Sequence, residues 1–563
     1  MSLAPTIGRA GTASPARRPP VRGARAGGAL PALIVVAALM LLPVAALVWL
    51  AAFGAGEGLA GIASTRPGRA TLNTAILLAG VGGLTALVGA GTAWLVTFHA
   101  FPGRRALSWL LVLPLAVPTY LAAYAHAEFL SFTGPPQTAL RALTGAASPR
   151  DYWFPDVRSL GGAIFVLSTV LYPYVYLTTR AMLAVQGPRM AEACRMLGAG
   201  PARAARRVVL PLARPAIAVG VLLALMEALN DFGAVQHLGV RTLTRSVFSL
   251  WLNRGDLSGA AELALILLGV VLLLIVAERV ARGRSRFAER DARHAPCAPP
   301  ALAGWRRWGA TALCTLPILA GFGVPAVVFA RFALNRLPLA LDGRLHEAAL
   351  TSLVIGALAA MLTVALALVA VLAARGRGPR SNVLLRLSAI GYAVPGTVVA
   401  LGLFLALAGF DNWLDARMRA WFGLSTGLLL SGSALIIVYA HAVRFMAMAE
   451  GSLSAGVARL STNLEPAARV LGRDEAGALR EVTLPLLKPA IGAAALLVFI
   501  DSVKELSATI LVRPIGVNTL PTYAYELASQ GRPEAAAWAA LLIVVLGMAP
   551  VAIVSRATLR AER

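Results

Sequence analysis

The stretch MAEACRMLGAGPARAARRVVLPLARPAI, residues 190–217, returns in the second half of the chain as LEPAARVLGRDEAGALREVTLPLLKPAI, residues 464–491. The copies superpose without a gap at a constant offset of 274: Gly198 falls on Gly472, Leu210-Pro211 on Leu484-Pro485, and Pro215-Ala216-Ile217 on Pro489-Ala490-Ile491. Each copy is basic, punctuated by Gly and Pro, and set between apolar runs long enough to cross a bilayer. A duplicated surface of this kind implies a two-fold device, in which each half offers the same face to a symmetric partner. The repeat reaches further, since Ala116-Val117-Pro118 matches Ala393-Val394-Pro395 and Thr74 matches Thr351, both at an offset of 277.

Around this repeat the composition is that of a polytopic membrane protein. Of 563 residues 58% are hydrophobic and only 14% charged, with a mean hydropathy of +0.74. The net charge of +25 does not indicate nucleic acid, because the charges sit in short loops between apolar spans, where they fix orientation and meet lipid headgroups. Cys194, Cys297 and Cys314 show neither CxxC nor ligand spacing, so no disulfide framework or zinc site is expected.

Twelve runs read as spans, near 30–52, 71–97, 106–130, 159–181, 214–236, 260–280, 309–331, 349–374, 385–409, 426–449, 489–512 and 536–555. The fold class expected is all-α: two homologous six-helix halves, 29–281 and 308–563, joined by a cytoplasmic linker at 282–307. A disordered basic tail is expected at 1–28. The first apolar run is long enough to be a retained helix rather than a cleaved leader. With the N terminus inside, the cytoplasmic segments carry more than twice the Lys and Arg of the outer loops. Both repeated motifs and both termini therefore face the cytoplasm.

In the first motif Pro188 is placed to open a short helix and Gly198 to end it, with a second basic helix starting at Gly200-Pro201 and stopping before Leu210-Pro211. The expected product is a helix–turn–helix elbow beneath the membrane, with Glu192 near the N-terminal end of its first helix. After each motif, ionisable residues lie inside a span, where they are costly and mark function by default. At the offset of 274, Glu227 falls on Asp501 and Asp231 on Glu505, and each pair is spaced four residues apart on one helix face. Lys504 is placed to neutralise Asp501 in part. Two readings stand: the fifth helices line a pathway that presents acidic oxygens to a cation, or the acids pair with nearby Arg and hold the bundle together. Tyr120, Tyr124, His126 and Glu128 cluster near the outer end of the third span, where tyrosine is more often an interfacial anchor than a ligand, and a site there is the lesser reading. The many Gly and Ala residues in spans read as packing surfaces.

The pattern Glu-Ala-x, then Gly, then Leu-Pro resembles the coupling loop of ABC importer permeases. The resemblance implies that Glu192, Ala193, Gly198, Leu210 and Pro211 form one docking site for an ATPase subunit, and Glu465, Ala467, Gly472, Leu484 and Pro485 the other. Pro466 stands where the family has Glu, with Glu465 one residue earlier as its substitute. The chain has only two lysines, Lys488 and Lys504, and no Gly-Lys-Ser/Thr, so it lacks a phosphate-cradling loop of its own.

Further residues resemble the ferric-iron permeases of that superfamily. They are Asn230-Asp231-Phe232-Gly233 with Gly239-Val240-Arg241-Thr242, and Lys504-Glu505-Leu506 with Ala508-Thr509, Val512-Arg513-Pro514 and Tyr525-Glu526-Leu527-Ala528-Ser529. Ser507 departs from the proline expected after Lys-Glu-Leu. The resemblance spans residues 30 to 556. It implies a permease of the bacterial inner membrane that works with two ATPase copies and an extracytoplasmic substrate-binding protein. ATP and Mg would be bound by the ATPase, with no cofactor in this chain. Oxygen ligands suit hard Fe(III), while thiamine, polyamine and phosphonate are the alternative cargoes. A membrane-embedded enzyme would cluster its acids with a nucleophile or His at one site, and a secondary transporter would lack a repeated cytoplasmic motif.

Overall fold

A backbone inside a bilayer satisfies its own hydrogen bonds either as a helix or as a closed barrel, and apolar runs of this length choose the helix. The computed structural model describes residues 29–53, 67–196, 203, 207, 209–283, 300–375, 378–392, 394–461 and 463–561. Among these the only β-type contact is an isolated bridge between Ala100 and Ala301. The first half comprises α1 (Ala29–Phe53), α2 (Pro67–Phe98), α3 (Arg104–Leu110), α4 (Thr119–Phe129), α5 (Pro135–Thr144), α6 (Leu160–Met196), α7 (Leu210–Asn230), α8 (Gly233–His237), α9 (Leu243–Phe248) and α10 (Leu257–Gly283). The second comprises α11 (Trp305–Ile318), α12 (Val324–Asn335), α13 (Gly343–Ala374), α14 (Pro379–Ser388), α15 (Gly396–Phe422), α16 (Leu435–Ala458), α17 (Leu464–Val470), α18 (Glu475–Ala478), α19 (Leu484–Val503), α20 (Thr509–Val512), α21 (Leu520–Ser529) and α22 (Ala537–Ala561).

Nine helices among the described residues are long and apolar enough to cross a membrane, ten when one bent pair counts as a span. The expected twelve is not reached by this measure. The helix α16 carries His441, Arg444 and Glu450, and the last run contributes only the shorter Ala537–Ala549. The bent pair is the expected third span: Arg104–Ala116 and Thr119–Phe129 meet at 97°. The corner falls at Val117-Pro118, where proline cannot continue the helical hydrogen bonding. The expected fifth spans, 214–236 and 489–512, also break. Helix α7 stops at Asn230 and α19 at Val503, because the next carboxylates, Asp231 and Glu505, accept from the amides of Ala234 and Ala508 instead, both at 2.9 Å.

The halves are interlocked by their first helices. Helix α1 packs on α13, α14 and α15 of the other half, while α11 touches α2 and α3, and α12 touches α4. Pro43 inside α1 leaves the carbonyl of Leu39 without its helical donor, and the Tyr439 hydroxyl on α16 donates to it at 2.6 Å. The close approach needs glycine: a Cβ on Gly402 would lie 2.2 Å from the Pro43 carbonyl oxygen, and one on Gly321 2.1 Å from that of Thr169. Small residues at such crossings serve packing, as the sequence implies.

The segments that follow the breaks are tethered alike in both halves. The amide of Leu243 donates to Thr74 at 3.0 Å, and that of Leu520 to Ser352 at 2.7 Å. The hydroxyl that serves the second half is therefore Ser352, one residue beyond the sequence match Thr351.

The two elbows differ from expectation in one respect. Helix α6 runs unbroken for 37 residues through Pro188 to Met196, so Pro188 opens no separate helix. At 1.5 Å per residue Pro188 lies roughly 42 Å from the start of α6, past the ~30 Å apolar core, where water can take the carbonyl it leaves free. Glu192 thus lies near a helix C-terminus, and the dipole argument made for it fails. Gly198 lies outside the described residues, as do the side chains of Glu192 and Ala193. The second copy does form the helix–turn–helix elbow: α17 ends at Gly472 in the left-handed region (φ 85°), and Asp474 caps α18 through the amide of Gly477 at 2.8 Å.

Candidate functional site

The breaks at the ends of α7 and α19 bring five sequence-singled residues into one place. Glu227, Asp231, Asp501, Lys504 and Glu505 all line a cavity of about 150 Å³ between the two halves. Helix C-termini point their carbonyls at this level, a negative contribution that broken membrane helices use at ion sites. Four carboxylates against two cations, Arg444 and Lys504, line the space, so it carries net negative charge.

The lining follows the sequence repeat. Val170, Leu171 and Tyr174 on α6 stand opposite Arg444, Phe445 and Met448 on α16, each at the offset of 274. The halves also touch here directly, through the Ser507 hydroxyl, which donates to the Asn230 carbonyl at 3.2 Å. A proline at 507 would carry no such donor.

The second-half carboxylate is fully engaged. Glu505, its side chain 3% exposed, is ion-paired with Arg444 and lies 3.4 Å from Nε2 of His441. It also accepts from the amides of Ala508 (2.9 Å) and Thr509 (3.0 Å) and from the Thr509 hydroxyl (2.7 Å). His441 is itself held by the hydroxyls of Ser502 at 2.5 Å and Thr509 at 2.9 Å. Lys504 pairs with Asp501 at 2.6 Å, as the sequence spacing implies.

The first-half carboxylate is not engaged in this way. Asp231 is 8% exposed; its Oδ1 accepts from Ala234, and its Oδ2 has no hydrogen-bond partner among the described residues. The same holds for Oδ1 of Asn230 and the hydroxyl of Tyr120, both buried and both on the cavity wall. Tyr120 and Tyr124 are 4% and 2% exposed, so they are core residues and not the interfacial anchor expected of them. The rings are turned inward because α4 runs across the bundle after the bend at Pro118. Arg444 and His441 were not singled out from sequence, although a charge within the run 426–449 was the signal for them. No three His, Cys, Asp or Glu side chains among the described residues converge as a metal-holding group.

At the expected cytoplasmic face, Leu210-Pro211 open α7 and Leu484-Pro485 open α19, with proline in the first turn where its missing donor costs nothing. Leu210, Ala467, Gly472 and Pro485 are exposed. At the tip of the second elbow Val470 and Leu471 are 88% and 83% exposed, an apolar pair with nothing over it. Glu465 turns back to the bundle, accepting from Arg375 at 2.6 Å and from the Thr483 hydroxyl at 3.2 Å.

Two helical halves interlocked by their first helices around a charged cavity define a two-fold membrane permease. Residues 82–286 and 366–561 match the family described as binding-protein-dependent transport system inner membrane component. The chain belongs to that family, as an ABC importer permease with both halves fused in one polypeptide. It is 26% identical to the Fe(3+)-transport system permease protein FbpB 2 of Haemophilus influenzae over 493 residues, 86% of this chain and 90% of that protein. It is 33% identical over 220 residues, 38% of this chain and 76% of the relative, to the "Putative 2-aminoethylphosphonate transport system permease protein PhnV" of Salmonella paratyphi A. Over 207 residues, 36% of this chain and 71% of the relative, it is 31% identical to the sulfate transport system permease protein CysT of Salmonella typhimurium. These relatives are transport permeases, not enzymes, and the apolar helices agree with a multi-pass inner membrane protein.

Proposed function

We propose that the chain imports ferric iron across the inner membrane, driven by two copies of a separate ATPase that dock on its elbows and bind ATP and Mg. A substrate-binding protein delivers the cargo from outside, and both termini lie in the cytoplasm. The observation that carries the cargo assignment is the net negative cavity between the halves, which favours a cation over an oxyanion such as sulfate. The Haemophilus influenzae relative supports it, being similar across both halves. The ammonium group of 2-aminoethylphosphonate would suit the same acids, but its phosphonate would be repelled.

In this reading Glu192, Ala193, Gly198, Leu210 and Pro211 form one ATPase-docking surface. Glu465, Ala467, Gly472, Leu484 and Pro485 form the other, with the exposed Val470 and Leu471 at its tip. Glu227, Asp231, Asp501, Lys504 and Glu505 belong to the translocation pathway. Closure of the ATPases brings the elbows together and turns the cavity outward; reopening delivers cargo inward.

The test is uptake of radiolabelled Fe(III) by proteoliposomes holding permease and ATPase, with ATP inside and the binding protein outside. Glu192→Ala is run beside the wild type. ATP-dependent uptake that collapses in the variant supports both cargo and coupling. Absent iron uptake with ATPase stimulation by another solute discards the iron and keeps the permease.

A further inference from the structure

The sequence repeat makes the cavity two-fold, and substitutions at several matched positions break that symmetry, Lys504 standing where the first half has Asn230 among them. Where the second half has Arg444, the first has Val170; where it has His441, the first has Leu167, both at the offset of 274. Where the second half has Gly396, the first has Thr119, at the offset of 277. Gly396 makes room for the arginine, since a Cβ there would lie 2.7 Å from its Nη1. Thr119 instead stands beside Asp231. The second-half carboxylate is thus locked to a cation and an imidazole, and the first-half carboxylate has neither as a bonded partner. Arg444 is near enough to Asp231 to attract it, but spends its bond on Glu505.

Buried polar atoms are almost always paired, and unpaired ones gather where a ligand or water enters. Among the residues that line the cavity they fall on the first half. Asp231, Asn230 and Tyr120 line the cavity, with Oδ2, Oδ1 and the hydroxyl unpaired among the described residues, and the hydroxyl of Tyr124 and Nε2 of His237 are unpaired as well, their ring centroids 4.2 Å apart. At the matching positions for Tyr124 and His237 the second half has Leu401 and Leu511.

Resting on the permease reading, we infer that the pathway contacts its cargo through the first half alone. Asp231 with Asn230 is the cation-binding pair, and Glu505 is a strut that holds Arg444 and the break after α19 in place. Both open atoms of the pair are acceptors, so the cargo presents donors: a cation carrying its own coordinated water or protonated nitrogen.

The experiment uses the complete transporter in proteoliposomes, given Fe(III) citrate and the binding protein outside and ATP inside, with the melting temperature of each purified permease as a second readout. Asp231→Asn is expected to lower uptake about tenfold or more, the loss of one charge-assisted contact, with melting unchanged. Val170→Arg with Thr119→Gly rebuilds the second-half arrangement beside Asp231. It is expected to fill the site, blocking uptake with melting unchanged or raised. Glu505→Gln is expected to lower the melting temperature. Normal uptake in both first-half variants overturns the assignment, as does equal melting loss in Asp231→Asn and Glu505→Gln. Carbodiimide labelling of the wild type, read by mass spectrometry, separates this inference from the cargo reading. If no iron enters any vesicle, the iron falls, and the open carboxylate still stands if Asp231 is modified before Glu505 and fails if Glu505 reacts first or equally.

Discussion

Replacing Arg444 by methionine removes the one arginine bonded to a carboxylate that the bundle holds 3% exposed. Glu505 would keep its contacts with Ala508, Thr509 and His441 but lose the guanidinium that offsets its desolvation. Breaking a buried pair from one side costs about 3–5 kcal/mol, because the remaining charge is stranded. The double variant Arg444→Met/Glu505→Gln strands no charge and should recover about 2 kcal/mol or more of that loss, a coupling within the range for residues in direct contact. The same change at the matching first-half position, Val170→Met, swaps one apolar side chain for another and should cost at most about 1–2 kcal/mol. Denaturant titration of the purified permease in mixed micelles, followed by tryptophan fluorescence, measures the wild type, these three variants and the single variant Glu505→Gln. Additive losses at 444 and 505, or a larger loss at 170 than at 444, would refute the claim that Glu505 is a structural strut.

Other expectations follow from single contacts. Tyr439→Phe leaves the Leu39 carbonyl beside Pro43 without its donor and should destabilise the α1 docking by about 1 kcal/mol, seen as faster proteolysis of α1 in micelles. Gly402→Val forces a side chain into the Pro43 carbonyl and should cost about 1–3 kcal/mol or displace α1, which a cysteine cross-link between α1 and α15 would report as lost yield. Glu465→Ala breaks a pair whose side chains are 22% and 42% exposed, so its stability cost should stay near 0–1 kcal/mol in the same micelle titration. Val470→Asp with Leu471→Asp lies on an uncovered surface and should leave melting unchanged while abolishing co-purification with the ATPase; retained co-purification would remove the tip from the docking surface.

Much of the site was legible in advance for an electrostatic reason. A carboxylate inside an apolar run is so costly that its presence marks function, and the gapless repeat showed that Glu227 and Asp231 have counterparts in Asp501 and Glu505. The partners were harder to see. Arg444 and Glu505 are separated by 61 residues and pair only because α16 and α19 pack side by side. The tyrosines of α4 were misjudged because a straight third span would put them at the outer interface, whereas the 97° bend at Pro118 turns them into the core.

By itself the sequence determined the helical class, the internal repeat, the second elbow and the acids that line the cavity. Hydropathy, loop charge and an internal repeat are local or additive along the chain, so they survive without coordinates. Tertiary structure decided where the fifth helices stop, which half each first helix joins, and that the two symmetric carboxylates have unlike surroundings. Those are outcomes of packing between residues far apart in the chain. A single change from Val170 to Arg444 at equivalent positions alters a whole charge network only once the helices are assembled around it.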